Sequence, residues 1–140
     1  MAEFPPPRGL IDTSVIISLE HIDAAALPDE LAISAVSLAE LAAGPHATDD
    51  LGERARRQDR LQRVEATFDS LPFDDAAARA YGRIYAAVVA AGRKARGARA
   101  VDLLIAATAV ANDLSLFTFN ADDFKYLGET LQVMTPTLSA

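Results

Sequence analysis

Three carboxylates lie within mainly apolar segments of this 140-residue chain, and they restrict its possible folds more than any other feature. They are Asp12, Glu40 and Asp102. An ionised carboxylate in apolar surroundings is costly unless it is paired, protonated or bound to a metal. A fold that brings the three segments together would therefore create a site for a shared cation.

Length and composition indicate one globular domain, because 51% of the residues are hydrophobic and 24% are charged. We place the domain at residues 9–136, between an N-terminal tail (1–8) and a C-terminal tail (137–140). No apolar run reaches the roughly 20 residues of a membrane span, so we expect no membrane association. The N-terminus lacks the pattern of a signal peptide, and a cytoplasmic location is predicted.

The residue types exclude several kinds of site. The chain has no cysteine, which removes disulfides, thiolate catalysis and cysteine-bound zinc. It has only two histidines, His21 and His46, and a catalytic triad or a histidine-ligated zinc site would have to be built from that pair. Chemistry based on carboxylates remains.

Strand-like and helix-like segments alternate along the chain, which predicts an α/β fold with a mostly parallel sheet. We expect strands at 8–12, 31–35, 71–73, 116–118 and 131–134. We expect helices at 15–21, 38–43, 49–69, 75–91 and 99–112. Thr13 or Ser14 is expected to cap the first helix, Ser37 the second, and Asp74 or Asp75 the fourth.

This arrangement predicts where the acids lie. Ligand sites of parallel sheets form beyond the carboxyl ends of the strands. Asp12 ends the first strand, and Asn120, Asp122 and Asp123 follow the fourth. Glu40 and Asp102 would approach the same rim on helices.

A cluster of carboxylates suits Mg²⁺ or Mn²⁺, since hard cations prefer oxygen ligands and retain several waters. A cation held in this way can activate water and neutralise a phosphodiester. Each acid also has a simpler interpretation. Asp12 and Asp102 could cap helices, and Glu40 could be a surface residue.

The net charge of −7 argues against a nucleic-acid partner, but the charge is unevenly distributed. Residues 76–101 contain no acid and carry six basic side chains, namely Arg79, Arg83, Arg93, Lys94, Arg96 and Arg99. A solvated helix face with a basic loop would account for such a run. It would equally offer a phosphate backbone a local basic surface beside Asp102.

Four strings, in order, resemble the PIN-domain ribonucleases, in particular the VapC-type toxins of bacterial toxin–antitoxin pairs. They are Leu10-Ile11-Asp12-Thr13-Ser14-Val15, Ser37-Leu38-Ala39-Glu40-Leu41, Asp102-Leu103-Leu104-Ile105-Ala106-Ala107-Thr108-Ala109 and Thr118-Phe119-Asn120-Ala121-Asp122-Asp123-Phe124. The resemblance implies a three-layer α/β/α sandwich around a parallel sheet. It also implies endonucleolytic cleavage of RNA that depends on Mg²⁺ or Mn²⁺.

The resemblance implies roles for individual residues. Asp12 and Asp102 resemble the principal metal ligands, and Glu40 resembles the third acid. The position of the family's fourth acid is occupied by Asn120, which leaves that role open among Asn120, Asp122 and Asp123. We take Asp123 as the catalytic candidate. Polar side chains that could orient ligands or waters are Thr13, Ser14, Thr118, Asn120 and Asp122.

Partners also follow from the resemblance. It implies a homodimer and a cognate VapB-type antitoxin that inserts a segment near the acids. RNA is the implied substrate, and the basic residues expected to contact its phosphates are Arg93, Lys94, Arg96 and Arg99.

Two other functions are consistent with parts of the sequence. The first is a catalytically weak PIN-like module that binds RNA or protein, which Asn120 in the place of an acid would favour. The second is a haloacid-dehalogenase-type phosphatase with Asp12 as nucleophile. That chemistry requires an acid two residues later, where this chain has Ser14.

Overall fold

A computed structural model describes residues 5–139 and contains five parallel strands flanked by helices. The strands are β1 (Arg8–Ile11), β2 (Glu30–Ser34), β3 (Ser70–Leu71), β4 (Ser115–Phe117) and β5 (Val133–Met134). The α-helices are α1 (Thr13–Ile17), α2 (Ala35–Ala43), α3 (Leu51–Thr67), α4 (Asp75–Ala90) and α5 (Ala98–Ala111). The predicted α/β fold with a parallel sheet is confirmed.

The strand order in the sheet is β3-β2-β1-β4-β5, so the first strand is central. The chain builds outward from β1 on one side and then returns to its other side with β4 and β5. The strand order therefore reverses between β1 and β4, and a crevice at such a point is where α/β sheets bind ligands. The backbone N–H of Asp12 donates to the carbonyl of Phe117 at 3.1 Å, so the two strands stay joined up to this crevice.

The sheet is covered on both faces, as the α/β/α sandwich requires. Leu10 faces a core formed mainly with α4 and α5, whereas its neighbour Ile11 faces a core formed with α1, α2 and α3. Successive residues of a strand point to opposite faces, which explains why β1 is apolar at both positions. A Cβ on Gly9 would lie 2.6 Å from the Phe117 ring, so β1 and β4 pack closely here.

The N-caps of two helices and the end of one helix differ from the expectation. Asp12 rather than Thr13 or Ser14 caps α1, and Ser34 rather than Ser37 caps α2, because each accepts a hydrogen bond from the N–H three residues later. Asp74 caps α4, which is one of the two predicted residues. The first helix is shorter than expected, since it ends at Ile17 and a 3₁₀ turn follows at Leu19–His21.

The ends of the predicted domain are also visible in part. Residues 1–4 and 140 of the predicted tails lie outside the described residues, and Arg8 already belongs to β1. Within the predicted C-terminal tail, the Thr137 carbonyl accepts from the N–H of Asp23 and the N–H of Ser139 donates to the His21 carbonyl. This part of the tail is thus hydrogen-bonded to the domain.

Sequence patterns did not predict the 3₁₀ helix at Ala121–Leu127. Its residues Phe124 and Leu127 are buried in the core with α4 and α5. Because these two side chains are buried, the residues between the end of β4 and Leu127 are held in place. None of the described helices is both long and apolar enough to cross a membrane.

Candidate active site

Four carboxylates meet where the carboxyl ends of β1 and β4 lie side by side. They are Asp12 after β1, Glu40 on α2, Asp102 on α5 and Asp123 on the 3₁₀ helix, and we call them the acid edge. Asp12, Glu40 and Asp123 each act on Asp102 with a repulsive charge. The convergence expected of Asp12, Glu40 and Asp102 is therefore present in the fold.

Asp12 is held rigidly in a buried position, with 4% of its surface exposed. Its Oδ1 accepts from the Ser14 hydroxyl at 2.6 Å and from the N–H of Val15 at 3.1 Å. Ser14 Oγ in turn accepts from the N–H of Phe119 at 3.2 Å. Capping and site formation coincide here, because the same carboxylate starts α1 and lies in the crevice beside β4.

Glu40 is exposed but anchored. Its Oε1 lies 2.6 Å from Thr13 Oγ1, and an ionised carboxylate can only accept, so the threonine hydroxyl donates this bond. Thr13 Oγ1 also contacts the hydroxyl of the buried Ser37 at 3.0 Å. Glu40 is thus a surface residue, as one interpretation expected, and its carboxylate is hydrogen-bonded to the segment that begins α1.

Asp102 carries the clearest electrostatic signature in the chain. Its pKa is raised from 3.8 to about 6, chiefly by burial and then, in decreasing order, by the charges of Asp12, Glu40 and Asp123. Arg99, one turn earlier on α5, acts in the opposite direction and is too weak to offset them. Asp102 does not cap its helix, because α5 begins at Ala98 with Gly97 as the N-cap.

The three candidates for the role of the fourth acid differ in position and exposure. Asn120 and Asp122 are exposed, whereas Asp123 is half-buried and is the residue of this segment whose charge acts on Asp102. A cleft of about 340 Å³ runs beside all three and reaches Thr135. The geometry thus favours Asp123 as the fourth acid and makes Asn120 and Asp122 part of the rim.

Thr118 follows β4 and is fully buried. Its N–H donates to the Met134 carbonyl at 3.0 Å, and its Oγ1 accepts from the N–H of Asn120 at 3.0 Å. These bonds turn the chain away from the sheet toward Asp123. Thr118 therefore shapes the segment that carries the fourth acid and does not itself face the cleft.

The predicted phosphate-binding residues lie on and after the loop between α4 and α5. Lys94 and Arg96 are exposed, and Arg93 and Arg99 are half-buried. Arg99 lies close enough to Asp102 to influence its pKa, so the basic residues begin directly at the acid edge.

Tyr126 is a residue of this region whose place sequence reasoning missed. The Arg93 guanidinium lies 5.7 Å from its ring centroid, within the range of a cation–π contact. Its hydroxyl is buried and has no hydrogen-bond partner among residues 5–139, and burial raises its pKa. The ring therefore supports Arg93 in the loop between α4 and α5.

The acid edge suits a hydrated divalent cation. Its donor set consists of carboxylate oxygens, and the mutual repulsion that raises the pKa of Asp102 is the interaction that a cation would relieve. Across residues 5–139, no three acid, histidine or cysteine side chains are grouped closely enough to hold a metal together. Mg²⁺ commonly retains several waters and is bound through one or two carboxylates, which this spacing permits.

A second opening adjoins the acid edge on the side of α3. A cleft of about 400 Å³ is lined by Thr13 and Glu40 on one wall and by Glu53, Arg57 and Arg60 of α3 on the other. Beyond Arg60 it continues into an apolar groove of about 280 Å³, lined by Ile16, Ile17, Leu19, Val64 and Phe68. Neither opening could be predicted from the sequence, because the residues of α1 and α3 that line them are far apart along the chain.

Both the sequence and the fold resemble those of known proteins. The model of the PIN domain family matches residues 9–129. The chain is 39% identical to ribonuclease VapC5 of Mycobacterium tuberculosis over 125 residues, which cover 87% of this chain and 89% of that relative. It is 34% identical to ribonuclease VapC of Rickettsia bellii over 134 residues, covering 92% and 96% respectively.

Solved structures agree in fold. The crystal structure of VapBC-5, a toxin–antitoxin system of Mycobacterium tuberculosis, superposes with a TM-score of 0.80 at 37% identity, covering 94% of this chain and 99% of that one. VapBC2 of Rickettsia felis, solved with a DNA fragment from its promoter, superposes with a TM-score of 0.74 at 23% identity, covering 91% and 98%. The second likeness concerns the fold alone.

Proposed function

The chain belongs to the PIN-domain family, and from this we propose that it is a VapC-type toxin, an endoribonuclease that hydrolyses RNA phosphodiester bonds at the acid edge. The observation that carries the proposal is the convergence of Asp12, Glu40 and Asp123 on Asp102. Asp102 is unfavourable as an anion when it is partly buried beside three other carboxylates, and a bound cation would relieve this cost.

The cation is a divalent metal, and we propose Mg²⁺ or Mn²⁺. Asp12 and Asp102 would be the principal ligands, and Glu40 would act through a metal-bound water, because no three of the described acid, histidine or cysteine side chains are grouped closely enough to bind one ion together. A divalent cation at this place supplies charge neutralisation for the phosphodiester and a lower pKa for water. Asp123 completes the set of catalytic carboxylates.

The chain's own polar groups keep these acids in place. Ser14 donates to Asp12 and accepts from the backbone after β4, which couples the two strands at the crevice. Thr13 holds Glu40 toward the same point. We assign both as positioning residues, since restrained ligands lose less freedom when the site is occupied.

Arg93, Lys94, Arg96 and Arg99 are the proposed RNA-binding residues. Arg93 is supported on the Tyr126 ring and Arg99 lies beside Asp102, so phosphates that contact them would run toward the acids. Phosphate contacts of this kind position a nucleic acid without reading its sequence.

The proposed partner is a VapB-type antitoxin. The apolar groove and the cleft beside Glu40 adjoin each other, since Ile17 and Arg60 line both. An extended or helical segment with apolar side chains could occupy the groove while a basic side chain next to it reaches the carboxylates, a strong interaction when water is excluded. A homodimer and a cytoplasmic location complete the proposal.

Cleavage assays on RNA test this function. The purified chain is expected to cleave single-stranded or structured RNA with Mg²⁺ or Mn²⁺, and EDTA is expected to stop the reaction reversibly. Binding of RNA with no product across several metals and RNAs would contradict the proposal and favour a binding module. Cleavage that continues in EDTA would contradict the role of the metal.

A further inference from the structure

The cleft beside α3 contains an arginine whose charge is not paired within residues 5–139. Helix α3 carries five arginines, namely Arg54, Arg56, Arg57, Arg60 and Arg63. Arg54 donates to the carbonyls of Pro45 and Thr48, and Arg63 pairs with Asp59 at 3.5 Å. Arg56 and Arg57 both pair with Glu53. Arg60 has no hydrogen bond or ion pair to any of residues 5–139.

Arg60 is nevertheless half-buried, and it lines both the cleft and the apolar groove. A guanidinium that is partly removed from water and lacks an acceptor is unfavourable, whereas the same group beside an anion makes a strong charge-assisted bond. Arg57 lies one turn away on the same face and lines the same cleft. Its Nε and Nη1 atoms are engaged, by Glu53 and by the Gly44 carbonyl.

The cleft opens onto the acid edge from the side opposite to the basic loop. Helix α3 packs on one face of the sheet and α4 and α5 pack on the other, and the acid edge lies between them at the strand ends. A polyanion that crosses the acid edge from Arg93–Arg99 would therefore leave along α3. Two carboxylates, Glu40 and Glu53, also line the cleft, and both already accept hydrogen bonds, Glu40 from Thr13 and Glu53 from Arg56 and Arg57. Arg60 is the arginine of this cleft that has no such partner among residues 5–139.

We infer that Arg60, with Arg57, forms a phosphate-binding subsite for the RNA backbone, at a phosphodiester other than the one that is cleaved. The inference rests on the proposed RNA-cleaving function and adds a second basic contact region to it. Arginine suits this role because its planar fork binds two phosphate oxygens at once. The bound RNA would span the acid edge between two basic groups.

The test compares Arg60→Gln with Arg56→Gln, which removes the same charge from the same helix at an exposed position outside the cleft. For a single-stranded RNA of ten or more nucleotides, Arg60→Gln is expected to raise KM about tenfold with kcat unchanged, because one charged phosphate contact is lost. The slope of log affinity against log salt should fall by about 0.7, the value for one phosphate on a single strand. Arg56→Gln should change neither quantity by more than about twofold.

Binding is measured separately from cleavage, on the Asp102→Asn protein with the same fluorescent RNA. Equal RNA affinity and equal salt slope in the Arg60→Gln and Arg56→Gln variants would overturn the subsite, even if the wild type cleaves RNA. Loss of affinity for the antitoxin alone, with RNA binding intact, would overturn it as well and assign Arg60 to that interface. Failure of the wild type to cleave RNA would instead contradict the proposed function.

An Arg60→Lys variant guards against an effect of folding. It keeps the charge and loses the two-pronged geometry, so an affinity between those of the wild type and Arg60→Gln is expected. Equal affinities of Arg60→Lys and Arg60→Gln, together with a lowered melting temperature in both, would contradict a direct phosphate contact.

Discussion

Carboxylates in two regions of this molecule have opposite electrostatic surroundings. On α3, Glu53 lies between Arg56 and Arg57, and hydrogen bonds from both guanidiniums lower its pKa. At the acid edge, Asp102 is partly buried among three other carboxylates and its pKa rises to about 6. Two arginines pair with Glu53, whereas at Asp102 burial and the repulsion from three acids outweigh the attraction of Arg99.

The difference shows which acids are structural. An ion pair on the surface of a helix contributes a little to stability, and its two charges largely neutralise each other. A partly buried acid surrounded by like charges is unfavourable until something positive arrives, and perturbed pKa values of this kind concentrate at functional sites. Arg60 on α3 is the corresponding case for a cation, because it is half-buried and has no ion-pair partner among residues 5–139.

The largest effect on RNA cleavage is expected when one carboxylate is removed from each region in turn. Asp12→Asn or Asp102→Asn should lower RNA cleavage on the order of 10²–10³-fold, since each removes a charge aimed at the reacting phosphate or its cation. Asp59→Asn is the matched control, because Asp59 pairs with Arg63 on the surface of α3. Initial rates on a labelled RNA measure the effect, and equal loss in all three variants would remove the distinction.

A smaller effect is expected from the groups that hold the acids. Ser14→Ala deletes the hydroxyl that donates to Asp12 and accepts from the N–H of Phe119. Cleavage should fall about tenfold, the lower range for a residue that orients a metal ligand. Ser115→Ala, which removes a hydroxyl bonded to Gln132 on the exposed rim, should leave the rate unchanged. A Ser14→Ala protein as active as the wild type would show that Asp12 needs no such support.

The smallest effect concerns stability without metal. Because the pKa of Asp102 is higher in the folded chain than the ordinary 3.8, the folded state binds this proton more tightly. Its contribution therefore favours folding at low pH and is lost as the pH rises from about 4 to about 6. Above pH 6 in EDTA, Asp102→Asn should be more stable than the wild type by about 1 kcal/mol, after discounting for solvent screening.

Urea unfolding at pH 5 and pH 7.5 measures this prediction. The advantage of Asp102→Asn should grow from the lower to the higher pH. A variant that is less stable than the wild type at pH 7.5 would mean that Asp102 is stabilised as a carboxylate, as Glu53 is.

The fold and most of the acid edge could be predicted from local patterns. Apolar runs that end in Asp12 or precede Asn120 mark the strand ends, and parallel strands bring these ends together. The caps were harder, since Asp12, Thr13 and Ser14 are all good N-cap residues and only the backbone geometry selects Asp12.

Contacts between distant segments could not be predicted. The choice of Asp123 over Asp122 depends on a 3₁₀ helix that is fixed by burial of Phe124 and Leu127 against α4 and α5. Likewise, nothing near Arg60 in the sequence distinguishes it from the other arginines of α3. Its significance depends on the cleft that α3 forms with the segment around Thr13.

Metal binding tests whether the carboxylates of the acid edge form one divalent-cation site, which is the claim on which the other predictions depend. Titration of Mn²⁺ into the metal-free protein, followed by calorimetry or by loss of the free Mn²⁺ signal, should show a site that is retained in Asp59→Asn and weakened at least tenfold in Asp102→Asn. Equal Mn²⁺ affinity in the wild type and Asp102→Asn would contradict the claim.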